Sequence, residues 1–262
     1  MKLTPDDIYS KKARGEKITA LTAYDFPTAR ILDGAGVDVL VIGDSLGMVL
    51  LGDETTHQVT VSDVAYHTKA VAKAAQRALV VADMPYRSYL SPEEALSNAR
   101  ILVRDSSANA VKIEGGVAIE EQIRHLVRNG IPVVGHIGVL PQSVEGKKYR
   151  VFGKREPEAE SIMKDAKLLE SLGVFAIVLE CVPGTLAARV TAEVKCPTIG
   201  IGAGASTDGQ ILVVHDILGI RSSVSPRFVR RYADLENVIK QAAEGYCRDV
   251  AAGTFPSQKE SF

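Results

Sequence analysis

Short apolar runs alternate with amphipathic helical patterns along almost the whole of this chain. The runs are rich in Val, Ile and Leu and lack strict polar alternation, which is typical of strands buried on both faces of a parallel sheet. Eight runs lie at 18–24, 37–43, 78–84, 110–116, 131–138, 175–180, 196–204 and 209–220. Helical patterns lie near 26–35, at 61–75, from 92 to about 104, after 116 up to 129, at 158–172, from 183 to about 194 and at about 235–252.

This repetition of strand and helix predicts an α/β fold, a single (β/α)8 TIM barrel formed by residues 1–262 as one domain. An open doubly wound sheet is the alternative. The barrel is favoured because the chain has eight units and no G-x-G-x-x-G motif after its first strand. In barrels of this kind the catalytic groups lie at the carboxyl ends of the strands.

Four of the apolar runs end on a carboxylate. These acids are Asp44, Asp83, Glu114 and Glu180. Because the carboxyl ends of barrel strands meet at one mouth, we expect the four side chains to lie together. Acids in such a group repel one another unless a cation or a bound proton offsets their charge. The pattern therefore predicts a site of chemistry at the mouth of the barrel.

Three of these acids, Asp44, Asp83 and Glu114, follow successive strands. We predict that they hold Mg²⁺, which one or two carboxylates usually bind together with waters and substrate oxygens. The alternative for each acid alone is a helix cap or an ion pair with a lysine. Three acids at successive strand ends favour the shared metal site.

Lys112 lies two residues before Glu114 on the same strand, so both side chains are predicted on one face. A lysine inside a barrel needs an anion, which a substrate carboxylate or one of the acids would supply. A lysine on the helix-facing side of the sheet and a Schiff-base nucleophile of an aldolase are the alternatives.

His136 and Glu180 end the fifth and sixth strands. We predict that His136 donates to a substrate oxygen, with a hydrogen-bonded core histidine as the alternative. Glu180 precedes Cys181, Val182 and Pro183, and this apolar setting suits a general base. A fourth metal ligand, a substrate contact and a helix cap are the alternatives for Glu180.

The segment IGIGAG at 199–204 follows the seventh strand and is rich in glycine. Glycine-rich turns at this place in a barrel often bind phosphate through backbone N–H groups, or let a planar ligand approach the backbone. Gly202 and Gly204 are the residues that we expect to contact a cofactor. The pattern is common, so it is a weak signal.

The composition excludes several classes of partner. A formal net charge of −1 argues against a nucleic acid or an anionic membrane as the partner. No apolar stretch approaches the length of a membrane span, and the first residues lack the apolar segment of a signal peptide. Three cysteines without C-x-x-C spacing are typical of a reduced protein, and we expect a cytoplasmic location.

A series of motifs occurs in the order found in one known family. The motifs are ITALTAYD at 18–25, GDSLGM at 43–48, ADMPY at 82–86, VKIEGG at 111–116, GHIG and PQS within 135–143, LECVP at 179–183, and IGIGAG and DGQILVVHD within 199–216. Together they resemble the ketopantoate hydroxymethyltransferase family over nearly the whole chain. The resemblance implies a barrel of the phosphoenolpyruvate/pyruvate type with one Mg²⁺ per subunit.

The resemblance also implies roles for single residues. It places Asp44, Asp83 and Glu114 around the metal, with Glu114 acting through water, and makes Glu180 the proton acceptor. It places the 3-methyl-2-oxobutanoate substrate against Asp44, Ser45, Asp83, Lys112 and His136. It further implies 5,10-methylenetetrahydrofolate as co-substrate, 2-dehydropantoate as product, a first step in pantothenate and coenzyme A synthesis, and a large homo-oligomer such as a decamer.

The chain departs from the family pattern at three places, which are Val139-Leu140, Lys147-Lys148-Tyr149 and the C-terminal QKESF. They bear on the folate side and on subunit contacts. A Mg²⁺-dependent lyase or phosphonomutase of the same barrel type is the nearest alternative function, although we find no cysteine-bearing lid motif. A non-catalytic barrel that binds a metabolite is a second alternative, but it would be expected to lose the base or the metal acids.

Overall fold

The computed structural model describes residues 1–143, 150–220 and 226–262. Its strands form a closed parallel barrel in chain order, and the pairing of Ile18 with Gly209 joins the first strand to the last. The strands are β1 Ile18–Thr22, β2 Val39–Ile42, β3 Leu79–Asp83, β4 Ala110–Glu114, β5 Val133–Gly138, β6 Ala176–Glu180, β7 Thr198–Ile201 and β8 Gly209–Leu212. The predicted eight-stranded barrel is confirmed.

Helices follow most of the strands. They are α1 Pro5–Ala13, α2 Phe26–Gly34, α3 Val61–Ala74, α4 Pro92–Arg100, α5 Glu120–Arg128, α6 Glu156–Leu172, α7 Gly184–Glu193, α8 Val214–Leu218 and α9 Leu235–Ala251. The seven predicted helices are all present, and the third of them, which is α4, continues as a π-helical turn over Ile101–Asp105. Ser91 caps its N-terminus, because the Ser91 hydroxyl accepts a hydrogen bond from the Glu94 N–H at 3.2 Å.

The apolar run at 209–220 is divided, and this differs from its prediction as one strand. Its first part forms β8 and its second part forms α8. An apolar run of this length does not distinguish a buried strand from a buried helix by its pattern alone.

Helix α1 lies at the amino-terminal end of the barrel. Its Ile8 side chain is buried with barrel residues such as Ile18, Val39 and Ile199. The ammonium group of Lys12 donates to the carbonyl of Cys196 and to those of two residues at the end of α7, which all precede β7. The opposite end, where the strands end on acids, is thus left for chemistry.

By their internal contacts the residues form two compact units, Met1–Val213 and Val214–Phe262. The first contains the whole barrel. The second contains α8 and α9, and no residue of α9 is buried. Among the described residues, no helix has the length and apolar character needed to cross a membrane.

Candidate active site

The register of the central strands brings the predicted charged residues side by side. Asp83 on β3 pairs with Lys112 on β4, and Glu114 pairs with His136 on β5. Glu180 at the end of β6 pairs with Gly138 at the end of β5. Asp44 follows β2 by two residues, and its backbone N–H donates to Asp83 Oδ2 at 3.3 Å. All six polar side chains of this group are buried.

Lys112 is held by acids, as its position on β4 predicts. Its Nζ lies 2.8 Å from Asp83 Oδ1 and 3.6 Å from Glu114 Oε1, so both strand neighbours offset its charge. Burial lowers the pKa of Lys112, but Asp83, Glu114 and Asp44 raise it by more, so that its pKa lies above the ordinary lysine value. Lys112 therefore remains an ammonium group at neutral pH. A Schiff-base nucleophile must be a neutral amine, so this geometry does not suit that alternative.

The His136 ring lies between two glutamates. Its Nδ1 is 3.3 Å from Glu114 Oε1 and 3.2 Å from the Lys112 ammonium, while its Nε2 is 3.2 Å from Glu180 Oε2. Burial and the Lys112 charge lower the pKa of His136, but Glu114 and Glu180 raise it by more, to about 9. An imidazolium between the two carboxylates offsets part of their charge.

The carboxylates of Asp44 and Asp83 are less well compensated. Burial raises the pKa of Asp44 well above its ordinary value, and the charges of Asp83 and Glu114 raise it further. Burial also raises the pKa of Asp83, and Lys112 offsets this only in part. For Glu114, burial is outweighed by Lys112 and His136, which lower its pKa. Uncompensated negative charge is therefore concentrated at the Asp44–Asp83 end of the site.

This uncompensated negative charge fits a divalent cation. Lys112 and His136 lie against Asp83 Oδ1 at 2.8 Å and Glu114 Oε1 at 3.3 Å, whereas Asp44 forms no ion pair with a described residue. Within the described ranges, however, no group of three or more His, Cys, Asp or Glu side chains is arranged to hold a metal ion. Asp44 and Asp83 are thus the pair suited to direct ligation, because Mg²⁺ often uses only one or two carboxylates and completes its shell with water.

Ser45 and Tyr24 extend the site beyond the carboxylates. The hydroxyl groups of Tyr24 and Ser45 lie 2.8 Å apart, which fixes the direction of the half-buried serine. A Cβ at the preceding residue, Gly43, would lie 2.8 Å from the Ser45 hydroxyl oxygen, so a side chain there would displace that hydroxyl. The sequence offered no signal for Tyr24 beyond its place after β1.

Gln142 is the main site residue that sequence reasoning missed. Its Nε2 donates to Asp44 Oδ2 and to the Met84 carbonyl, both at 2.9 Å. Its Oε1 accepts from the Tyr89 hydroxyl at 2.7 Å, and its backbone N–H donates to Glu114 Oε2 at 3.1 Å. The PQS motif after β5 marked its place but gave no role for the amide.

Glu180 is held by its backbone neighbours. Its carbonyl accepts from the Val139 N–H at 2.9 Å, and the next residue, Cys181, donates its N–H to the Ile201 carbonyl at 2.8 Å. Cys181 has a positive φ of 50°, a conformation that is uncommon for a residue with a side chain. Burial and the Glu180 charge raise the pKa of the Cys181 thiol to about 12, so the thiol stays neutral beside the carboxylate.

The expected cofactor residues Gly202 and Gly204 lie in the loop after β7 and both have positive φ. In the described parts of the chain, no hydrogen bond or ion pair joins them to the charged group. The residues at 147–149 lie outside the described residues.

Comparison with known proteins places the chain among relatives that match it from end to end. Residues 2–258 match the profile of a family described as ketopantoate hydroxymethyltransferase. A 3-methyl-2-oxobutanoate hydroxymethyltransferase of Syntrophus aciditrophicus (strain SB) is 50% identical over 263 residues, which covers 100% of this chain and 97% of that protein. The protein of the same name from Thermoanaerobacter sp. (strain X514) is 51% identical, over 96% of this chain and 92% of that protein.

Solved structures with a similar fold are far more distant in sequence. Phosphonopyruvate hydrolase in complex with oxalate and Mg²⁺ has a TM-score of 0.62 at 12% identity, with 98% of this chain and 93% of that chain covered. The 2,3-dimethylmalate lyase, a member of the PEP mutase/isocitrate lyase superfamily, has a TM-score of 0.61 at 14% identity, with 99% and 92% covered. These similarities concern the fold alone, and they agree with the closed eight-stranded parallel barrel of this chain.

Proposed function

The chain belongs to the ketopantoate hydroxymethyltransferase family, and we propose that it transfers a hydroxymethyl group from 5,10-methylenetetrahydrofolate to 3-methyl-2-oxobutanoate. The product is 2-dehydropantoate, and the reaction is the first step of pantothenate synthesis. The observation that carries this proposal is the buried group at the barrel mouth. There Asp83 and Lys112 face each other at 2.8 Å, and Glu180 lies across the His136 ring from Glu114.

Asp44 and Asp83 hold one Mg²⁺ in this proposal, and Glu114 contacts it through water. The surplus negative charge at the two aspartates supports this assignment. The Mg²⁺ in the phosphonopyruvate hydrolase structure, a distant relative in fold, gives further support. When bound, the metal supplies Lewis-acid stabilisation of negative charge on the keto oxygen of the substrate.

Lys112, Ser45 and His136 bind the oxo acid. The permanent ammonium charge of Lys112 offsets the substrate carboxylate, which is otherwise repelled by the acids around it. The Ser45 hydroxyl, held by Tyr24, is available to a substrate oxygen. His136 is protonated in this environment and donates to a substrate oxygen once the substrate displaces one of its glutamate contacts.

Glu180 accepts the proton from C3 of the oxo acid. It is the most exposed of the four acids, at 9%, so a substrate can reach it without displacing the ion pairs of Lys112. Loss of the C3 proton leaves an electron pair that forms a bond to the methylene carbon of the folate. Water then supplies the hydroxyl group as tetrahydrofolate departs. Gly202 and Gly204, in the loop after the neighbouring strand β7, are the proposed folate contacts.

We also propose that the protein is a cytoplasmic homo-oligomer, with a decamer as the expected state, and that it binds neither nucleic acid nor membrane. Helix α9 supports association, because its apolar side chains Val238, Ile239 and Tyr246 are each more than half exposed. The free thiols of Cys181 and Cys196 are compatible with a reducing compartment.

The experiment that tests the function is a reconstituted assay. The purified chain is incubated with the oxo acid, 5,10-methylenetetrahydrofolate and Mg²⁺, and 2-dehydropantoate is measured by mass spectrometry. We expect product only when folate donor and Mg²⁺ are both present, with loss on chelation and recovery when the metal is returned. Cleavage of 2,3-dimethylmalate or phosphonopyruvate without any hydroxymethyl transfer would refute the proposal in favour of the lyase and phosphonomutase alternative.

A further inference from the structure

Gln142 uses every polar group that it has. Its side-chain amide contacts Asp44, Met84 and Tyr89, and its backbone N–H contacts Glu114. Its backbone carbonyl lies 3.0 Å from His57 Nε2, in the segment between β2 and α3. The residue itself is 2% exposed. A glutamine buried this completely is stabilised only while all of these bonds are made.

The orientation of the amide is determined by its neighbours. The Met84 carbonyl can only accept a hydrogen bond, so the atom facing it at 2.9 Å must be the amide nitrogen. The Tyr89 phenol, protonated at neutral pH, donates to the oxygen on the other side at 2.7 Å. The nitrogen is consequently directed at Asp44 Oδ2, and a flipped amide would lose its bonds to both Asp44 and Met84.

The two acids that Gln142 holds through hydrogen bonds are Asp44 and Glu114. The amide nitrogen binds one oxygen of Asp44 at 2.9 Å, and the backbone N–H binds one oxygen of Glu114 at 3.1 Å. Asp44 is thereby held in one position with its second oxygen left for another partner, whereas the second oxygen of Glu114 faces His136 and Lys112. A carboxylate that is fixed by a neutral donor keeps its charge and loses less freedom when it binds a cation.

We propose that Gln142, oriented by Tyr89, is a positioning residue that fixes the Asp44 carboxylate for the divalent cation. The proposal rests on the function proposed above for this mouth. The backbone bond to Glu114 does not depend on the side chain, so substitution of Gln142 spares that bond and removes the side-chain bonds to Asp44, Met84 and Tyr89. In this relay the Tyr89 hydroxyl donates to the Gln142 side-chain oxygen, and the Gln142 side-chain nitrogen donates to Asp44.

The test compares Gln142→Met, Tyr89→Phe, the double variant and Gln122→Met as full-length chains. Methionine keeps the length of the side chain and removes its hydrogen bonds. Gln122, on α5, donates to the Tyr89 backbone carbonyl at 3.3 Å and forms no hydrogen bond with the four acids among the described residues, so it is the matched control. Mg²⁺ binding to the metal-free protein is measured by calorimetry, and the Mg²⁺ dependence of C3 deuterium exchange is measured in parallel.

We expect the Mg²⁺ dissociation constant to rise at least about tenfold in Gln142→Met, the order expected for a lost hydrogen bond to a charged group. Tyr89→Phe should raise it about threefold, and the double variant should be no worse than Gln142→Met, because both act through one relay. Excess Mg²⁺ should restore most of the exchange rate. The Gln122→Met control should match the parent chain.

A dissociation constant within twofold of the parent in Gln142→Met, even with a lower melting temperature, would overturn the proposal and leave Gln142 with a purely structural role. If Gln142→Met does not fold, Tyr89→Phe provides the test. An unchanged Mg²⁺ dissociation constant in Tyr89→Phe overturns the relay, and a raised constant supports it. A parent chain that binds no Mg²⁺ would instead refute the metal site of the proposed function, and with it the role of Gln142. The two failures are therefore distinguished by the parent chain.

Discussion

Replacement of Glu180 by glutamine is the most direct test of the chemistry. The substitution keeps the shape of the side chain and a hydrogen-bond acceptor for His136 Nε2, which lies 3.2 Å from the carboxylate. It removes the ability to accept a proton. A positioned general base contributes about 10²- to 10⁴-fold to the rate, which is about 3 to 5 kcal/mol of transition-state stabilisation.

The binding of the oxo acid should respond differently. The substrate is an anion, and the change removes a negative charge from the mouth, so Glu180→Gln is expected to bind it as tightly as the parent or slightly more tightly. The contacts of Lys112 with Asp83 and Glu114 do not involve Glu180 and should persist. A fall in rate without a rise in the substrate dissociation constant therefore separates a base from a binding residue.

The assay follows deuterium uptake at C3 of 3-methyl-2-oxobutanoate by NMR, with Mg²⁺ and without folate. We expect exchange to fall about 10²- to 10⁴-fold in Glu180→Gln. The matched control is Glu120→Gln, which makes the same chemical change to a glutamate on α5 that pairs with Arg124 at the surface. Exchange at the parental rate in Glu180→Gln would refute the assignment of the base.

Three further outcomes follow from the same geometry. Asp83→Asn should weaken the binding of Mg²⁺ and of the oxo acid together, because Asp83 contacts Lys112 and adjoins Asp44. Both affinities are measured by calorimetry, and weakening of only one would contradict shared use of this acid. Folding raises the pKa of His136 to about 9, so the protonated ring stabilises the folded parent chain at low pH. With a chelator present, the parent should therefore exceed His136→Gln in free energy of unfolding by most below pH 6.5, and this difference should fall by about 3 kcal/mol as pH rises through 9. A difference independent of pH would contradict this. Ile8→Ala should lower the urea-measured free energy of unfolding by about 2 to 5 kcal/mol because Ile8 is 1% exposed, whereas Ile31→Ala, at a position 66% exposed, should change it little; equal effects would exclude Ile8 from the core.

The barrel and its acids could be predicted from the sequence because both follow from local pattern. A parallel strand buried on both faces leaves an apolar run, and its carboxyl end is the residue at which that run stops. Three of these runs end at Asp83, Glu114 and Glu180. The register of the strands then brings Lys112 and His136 beside these acids. Helix α1 was not predicted, because its only buried residue is Ile8 and one apolar position gives no periodicity.

Gln142 could not be predicted for a different reason. Its role depends on contacts with Asp44, Met84 and Tyr89, which come from the loops after two other strands. No spacing in the sequence relates a residue after β5 to these partners, since loop conformation depends on tertiary contacts. The arrangement of the acids also exceeds what the pattern indicates, because strand ends show that four carboxylates meet but not which of them share a cation.

The His136 ring explains how acids of the same kind can have two roles at one mouth. Its two nitrogens face Glu114 Oε1 at 3.3 Å and Glu180 Oε2 at 3.2 Å, so the ring separates the two carboxylates and offsets charge on each. On the Glu114 side, Lys112 and the Gln142 N–H complete the compensation and lower the pKa of this acid, which keeps it ionised. Glu180 has no such ammonium partner among the described residues and is the more exposed of the two. A proton taken up by Glu180 therefore leaves the ion pairs around Lys112 intact, and this is the property required of a base beside a cation site.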